Sequence, residues 1–129
     1  FRPEANLRAA DIAAVRGIGT PLADFALACN RVAAAANERQ TGEVGIALPD
    51  PVAMAVALDP TLILEASRHA VAIGCNDEFT RGMTIVDRLN VRGDERNGGL
   101  WRECGSAAIV WRIDVPRWKW LLLDCLAGA

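Results

Sequence analysis

Histidine occurs only once in these 129 residues, at position 69. No cysteine–histidine pair has support beyond proximity in the sequence, so nucleophilic catalysis of that kind is a weak reading. There is no long Lys/Arg run: 14 basic residues stand against 16 acidic ones, for a net charge of -2. Nucleic-acid binding needs a concentrated basic face, so nucleic acid is not an expected partner. The four cysteines, Cys29, Cys75, Cys104 and Cys125, form no C-x-x-C pair. That scatter argues against a zinc site and a disulfide framework, and makes a reduced, cytoplasmic setting the expectation. The longest apolar run, residues 52–58, is far too short for a bilayer. No signal-peptide pattern precedes the first expected element, so no membrane partner is expected. The common catalytic fingerprints are missing too: no G-x-x-x-x-G-K-[ST], no G-x-S-x-G, and only two glycines at Gly17 and Gly19 where a dinucleotide loop needs three.

What remains is an ordinary globular composition, 52% hydrophobic and 23% charged. The length suits a single domain over residues 1–129, able to bury roughly two thirds of its unfolded surface. Because the chain opens on Phe1 rather than methionine, it is expected to be a piece of something longer.

Periodicity and caps outline the elements. Leu7, Ile12 and Val15 predict a short helix over 6–17, stopped by Gly17 or Gly19. Thr20 and Pro21 form a cap followed by a first-turn proline. They open a longer helix along Leu22, Phe25, Ala26, Cys29, Val32 and Ala36, ending in the polar stretch 37–42. Asp50 and Pro51 repeat that signature and start a third helix through Leu58, which Asp59 and Pro60 end. Strands are expected over 68–74 and 83–87, joined as a hairpin by a long loop. An exposed loop over 92–99 leads to a strand over 107–113. Asp114 then caps a last helix whose Trp118, Leu121, Leu122 and Cys125 share a face. The chain therefore reads as a mixed helix and strand portion: helices, then about three mostly antiparallel strands, then a C-terminal helix.

Most conspicuous single residues have plain structural readings. His69, inside a strand, reads as a hydrogen-bonded structural histidine. Arg92, Gly93 and Asp94 read as a solvated loop, and Trp118 as core rather than a stacking platform. In Thr80-Arg81-Gly82, the glycine suits a turn closed to other residues, and Arg81 is placed to pair with Asp77 or Asp87. Asp50, on local grounds, is a helix cap.

Two segments rise above this background: residues 48–60, with Pro49, Asp50, Pro51, Asp59 and Pro60, and residues 79–87, with Thr80, Arg81 and Gly82. Together with Ile113-Asp114-Val115-Pro116-Arg117-Trp118 and the stretch 11–25, they resemble, in this order, the inosine–uridine-preferring nucleoside hydrolases. The resemblance implies an α/β parent fold of which this chain is the C-terminal portion. It also implies hydrolysis of the N-glycosidic bond of purine or pyrimidine ribonucleosides by a calcium-bound water. Asp50 matches the family's late metal-binding aspartate. Asn37 and Gln40 fall in the region that contributes to the nucleoside pocket. Many members carry, just before the late aspartate, a histidine that protonates the departing base; Pro49 stands there and has no proton to give. The family's aspartate-rich metal motif does not occur in this chain.

Calcium takes about six to eight oxygens, and Asp50 offers at most two, at a helix start whose dipole disfavours a cation. The expectation is that the chain alone binds no calcium usefully and is inactive, and that it forms a homo-oligomer through uncovered apolar surface. The rival expectation is a standalone remnant acting as a structural or partner-binding module; a third is nucleoside binding without hydrolysis.

Overall fold

The computed structural model describes residues 3–96, 98–101 and 104–128. In chain order the elements are β1 (Leu7–Arg8), α1 (Ala9–Ile18), α2 (Pro21–Cys29), α3 (Arg31–Thr41), β2 (Gly45–Ile46), α4 (Pro49–Leu58), β3 (Ile63–Ile73), β4 (Thr84–Val86), α5 (Gly98–Trp101), β5 (Ser106–Ile113) and α6 (Val115–Ala127). Single 3-10 turns lie at Pro3–Ala5, Pro60–Leu62 and Val91–Gly93. The mixed helix and strand architecture matches the expectation, helices preceding a three-stranded sheet and a last helix. The expected loop over 92–99 contains a 3-10 turn and the start of α5; its Asn97 lies outside the described residues. Among the described residues, no helix is long and apolar enough to cross a membrane.

The chain divides into two compact units, Phe1–Leu64 with Ile113–Ala129, and Glu65–Arg112. In the first, local chemistry sets the helix ends. Thr20 is extended and its Oγ1 accepts a hydrogen bond from the Ala23 backbone N–H at 3.2 Å, with Pro21 following at the first helical position. The Asp114 carboxylate caps α6 in the same way, accepting from the Arg117 N–H at 3.1 Å. Gly19 ends α1 at φ 71° and Gly42 ends α3 at φ 74°, left-handed positions that favour glycine.

The core of this unit gathers Leu7, Val15, Ala23, Ile46, Leu48, Ala55, Leu62, Trp118 and Leu126. Trp118 is its largest member at 2% exposure, and its Nε1 donates to the Ala5 carbonyl at 3.3 Å. The Thr20 hydroxyl donates to the Leu126 carbonyl at 2.6 Å, fastening the start of α2 to the end of α6. Two ion pairs anchor α6 further: Arg117 with Asp59 at 2.7 Å and Lys119 with Asp11 at 2.6 Å.

Several local expectations are corrected. Leu7 belongs not to a helix but to β1, which pairs antiparallel with β2 in the register Leu7↔Ile46 and Arg8↔Gly45. The single long helix after Thr20 is two helices, because the Asn30 side chain bonds back to the Ala26 carbonyl at 2.9 Å and competes with continuation. On α6, Trp118 is buried and Leu121 and Leu122 pack against the core as expected, but Cys125 is exposed and Leu126 takes the buried place beside it. The stripe Leu22, Phe25, Cys29 and Val32 is exposed, Phe25 at 66%, while Ala23 carries the buried side of α2.

In the second unit, the sheet order is β4-β3-β5. β3 and β4 form the expected antiparallel hairpin, with Val71↔Val86, Ala72↔Ile85 and Ile73↔Thr84. On its other edge, Val71 N–H donates to the Gly105 carbonyl and Trp111 Nε1 donates to Ser67 Oγ, so β5 runs antiparallel to β3. Gly82, at φ 85°, occupies the left-handed turn position expected of Thr80-Arg81-Gly82. Asp77 and Asp87 bond instead to backbone N–H groups, so Arg81 pairs with neither.

Candidate functional site

Asp50 sits in the first turn of α4 rather than ahead of it. The helix begins at Pro49, its N-cap is Leu48, and no side chain caps it. The cap reading of Asp50 is thereby overturned. The first four N–H groups of a helix have no partner within it, so prolines at both 49 and 51 are tolerated and the pattern is displaced by two residues. The first i to i−4 bond runs from Val52 N–H to the Leu48 carbonyl at 3.1 Å. The Asp50 side chain is exposed and, among the described residues, makes no hydrogen bond or ion pair. A carboxylate in this place is favoured by the helix dipole, whatever else it binds.

Asn37 and Gln40 lie in the last turns of α3. Asn37 Nδ2 donates to the Glu43 carbonyl at 2.9 Å, while Thr41 Oγ1 donates to the Asn37 carbonyl at 2.8 Å and accepts from the Glu43 N–H at 3.1 Å. Asn37 therefore fastens the end of α3 to the chain entering β2. Gln40 is exposed. No hydrogen bond among the described residues joins either of them to Asp50.

A residue that sequence reasoning passed over adds to this region. Asn6 Oδ1 is buried and has no hydrogen-bond partner among the described residues. Buried polar atoms are nearly always paired, yet this acceptor is left unsatisfied within the described residues. The antiparallel register Leu7↔Ile46 carries Asn6 to the same end of the β1–β2 ladder as Ala47, three residues ahead of Asp50. Only the ladder brings 6 and 47 together, and two-residue strands leave almost no periodic signal.

Calcium requires about six to eight oxygens. Among the described residues, no three of His, Cys, Asp or Glu converge on one point. Asp50 by itself does not fit a calcium site.

His69 is engaged at both nitrogens. Nδ1 lies 2.9 Å from the Asp87 carbonyl, which only accepts, so Nδ1 carries a hydrogen. Nε2 lies 2.8 Å from Ser67 Oγ, which itself accepts from Trp111 Nε1 at 2.7 Å. The Trp111 ring meets the His69 ring edge-on at 5.7 Å and carries the Arg88 guanidinium at 4.5 Å from its centroid. This network ties β3, β5 and the chain after β4 together, a structural role for the only histidine. Asp87 is buried, and the Arg92 backbone N–H, with that of Val91, outweighs desolvation and holds its carboxyl below the ordinary range.

The geometry defines a mixed helix and strand unit with an exposed carboxylate, Asp50, in the first turn of α4 and an unsatisfied acceptor, Asn6 Oδ1, at one end of the β1–β2 ladder. Residues 2–119 match the inosine-uridine preferring nucleoside hydrolases, and the chain belongs to that family. It is 31% identical over 131 residues to the pyrimidine-specific ribonucleoside hydrolase RihA of Shewanella sp. (strain ANA-3), covering 96% of this chain and 36% of that protein. It is 33% identical over 114 residues to the protein of the same name from Shewanella woodyi, covering 83% and 34%. A solved plant nucleoside hydrolase shares the fold, with a TM-score of 0.79 at 20% identity, over 98% of this chain and 38% of its own. The chain thus spans about a third of the length of the relatives it matches.

Proposed function

We propose that this chain is the C-terminal portion of a nucleoside N-ribohydrolase that cleaves the N-glycosidic bond of ribonucleosides with water, in nucleoside salvage in the cytoplasm. The family match over residues 2–119 carries this reading, and the pyrimidine-specific relatives make pyrimidine ribosides the first substrates to try. In the whole protein Asp50 supplies one carboxylate to a calcium site whose other ligands come from outside this chain. Its exposed, unpaired side chain suits that part. Asn37 and Gln40 stand nearer the base, Gln40 with its amide exposed.

By itself the chain is inactive, since neither the metal shell nor an acid for the leaving base is complete; Pro49 brings no proton. It associates with copies of itself through its apolar surface, and light scattering showing a clean monomer at high concentration would count against that. The direct test is to assay the full-length gene product and the 129-residue chain side by side on uridine, cytidine and inosine. Hydrolysis by the full-length protein alone is expected. A full-length protein that cleaves none of them at any calcium level overturns the reading.

A further inference from the structure

Beyond tying β3 to β5, the network around His69 leaves one hydroxyl in a chemically special state. Side chains two apart on a strand share a face, and β3 thereby sets Ser67 beside His69, with Ser67 Oγ 2.8 Å from His69 Nε2. The Asp87 carbonyl takes the hydrogen on Nδ1 at 2.9 Å. In the neutral ring Nε2 is therefore bare, and the Ser67 hydroxyl donates to it. Trp111 Nε1, on β5, donates to the same serine oxygen at 2.7 Å. The serine proton is thus aimed at an imidazole, and the imidazole is aimed by an acceptor behind it. Ser67 is exposed and His69 half-buried, so the oxygen is open to solvent. A nucleophile, a base and an orienting group within hydrogen-bond reach are the parts of an activated serine. All of them belong to the second unit, whereas Asp50, Asn37 and Gln40 belong to the first.

We propose that Ser67 is an acyl-accepting nucleophile with His69 as its base, and that it takes the acyl group of activated carboxylic esters. This stands apart from the nucleoside reading. As Ser67 Oγ forms a bond to the carbonyl carbon, its proton passes to His69 Nε2. The alkoxide or phenolate of the ester leaves with the bonding pair and collects that proton, so His69 is neutral again. Water repeats the same steps on the acyl-serine and releases the carboxylic acid; nothing is oxidised or reduced. The Asp87 carbonyl holds the imidazole in the tautomer that the first step needs and faces the imidazolium formed in it. The Trp111 N–H meets the charge that grows on Oγ as its proton departs. The Arg88 guanidinium, 4.5 Å from the Trp111 ring centroid, keeps a positive charge beside the network, which favours the negatively charged tetrahedral adduct.

The test treats the full-length gene product with p-nitrophenyl acetate and, separately, with an alkyl fluorophosphonate, and locates the adduct by peptide mass mapping. Ser106, the other serine of these 129 residues, is also exposed and serves as the control within the molecule. Ser67 is expected to be modified about a hundredfold faster than Ser106. Ser67→Ala is expected to abolish the adduct on that peptide. His69→Gln keeps a hydrogen-bonding side chain without a base, and is expected to slow modification of Ser67 about a hundredfold while the circular dichroism melt stays like that of the parent. Modification confined to cysteines or lysines, or Ser67 reacting no faster than Ser106, overturns the proposal, and that comparison needs no variant to fold. A folded His69→Gln protein that reacts at Ser67 as fast as the parent overturns it as well.

Discussion

At the scale of single residues, the informative ones are those whose bonding is unfinished. A buried acceptor without a donor costs about 1–3 kcal/mol, and Asn6 Oδ1 is one. Replacing Asn6 with leucine is therefore expected to leave the isolated chain as stable as before, or slightly more so, by chemical melt. Clear destabilisation of the isolated chain would show that Asn6 Oδ1 finds a partner in solution. Asp50 is the second such residue. Because it is not a cap, Asp50→Asn removes only a favourable dipole contact, about 0.3–1 kcal/mol. If Asp50 holds the metal as proposed, the same change in the full-length protein is expected to lower kcat/KM by about a hundredfold or more. Comparable, small losses of activity and stability would contradict its role. Asp11 shows the opposite situation, a finished one. Desolvation pushes its carboxyl up, but the Arg8 backbone N–H and the Lys119 ammonium outweigh this and hold it below its ordinary value of 3.8. A carboxyl lowered in the folded state contributes stability above its unfolded value and loses it as pH falls through the folded one. Asp11→Asn is expected to cost about 1–2 kcal/mol at pH 7 in urea melts, and the gap to wild type should close below about pH 4.

At the scale of elements, stability is concentrated where helix ends meet. Thr20 performs two bonds with one hydroxyl, accepting from Ala23 N–H and donating to the Leu126 carbonyl. Thr20→Val keeps the shape and removes both, with an expected cost of about 1–3 kcal/mol in the isolated chain. An unchanged urea midpoint would show that the α2–α6 junction does not depend on it. Signals of this kind were legible in the sequence because they act over three residues: the caps at Thr20 and Asp114, the stops at Gly19 and Gly42, the turn at Gly82. The order of helices, sheet and last helix followed from them. The β1–β2 ladder was not legible, since Leu7 and Ile46 are brought together only by everything between them. Nor was the break at Asn30, where one side-chain bond decides between one helix and two. Periodicity located the stripe of Leu22, Phe25, Cys29 and Val32 but not its direction, because a pattern defines a face and is silent about what the face meets. For the candidate site, Asp50 was reached through the family resemblance, and its local surroundings read as a cap that α4 does not have. Asn6 carried no signal of its own, because only folding buries it.

At the scale of the whole molecule, the chain spans about a third of the length of the ribonucleoside hydrolases it matches, with one core in its first unit and a three-stranded sheet in its second. Among the described residues, no cluster of His, Cys, Asp and Glu gathers on one point. A helix start bearing one carboxylate cannot strip water from a doubly charged ion that takes about six to eight oxygens. Isothermal titration of calcium into the isolated 129-residue chain measures this most directly. The prediction is heat of dilution only, up to about millimolar ion. A saturable isotherm in the micromolar range would contradict the account, because it would mean that these residues complete the shell by themselves.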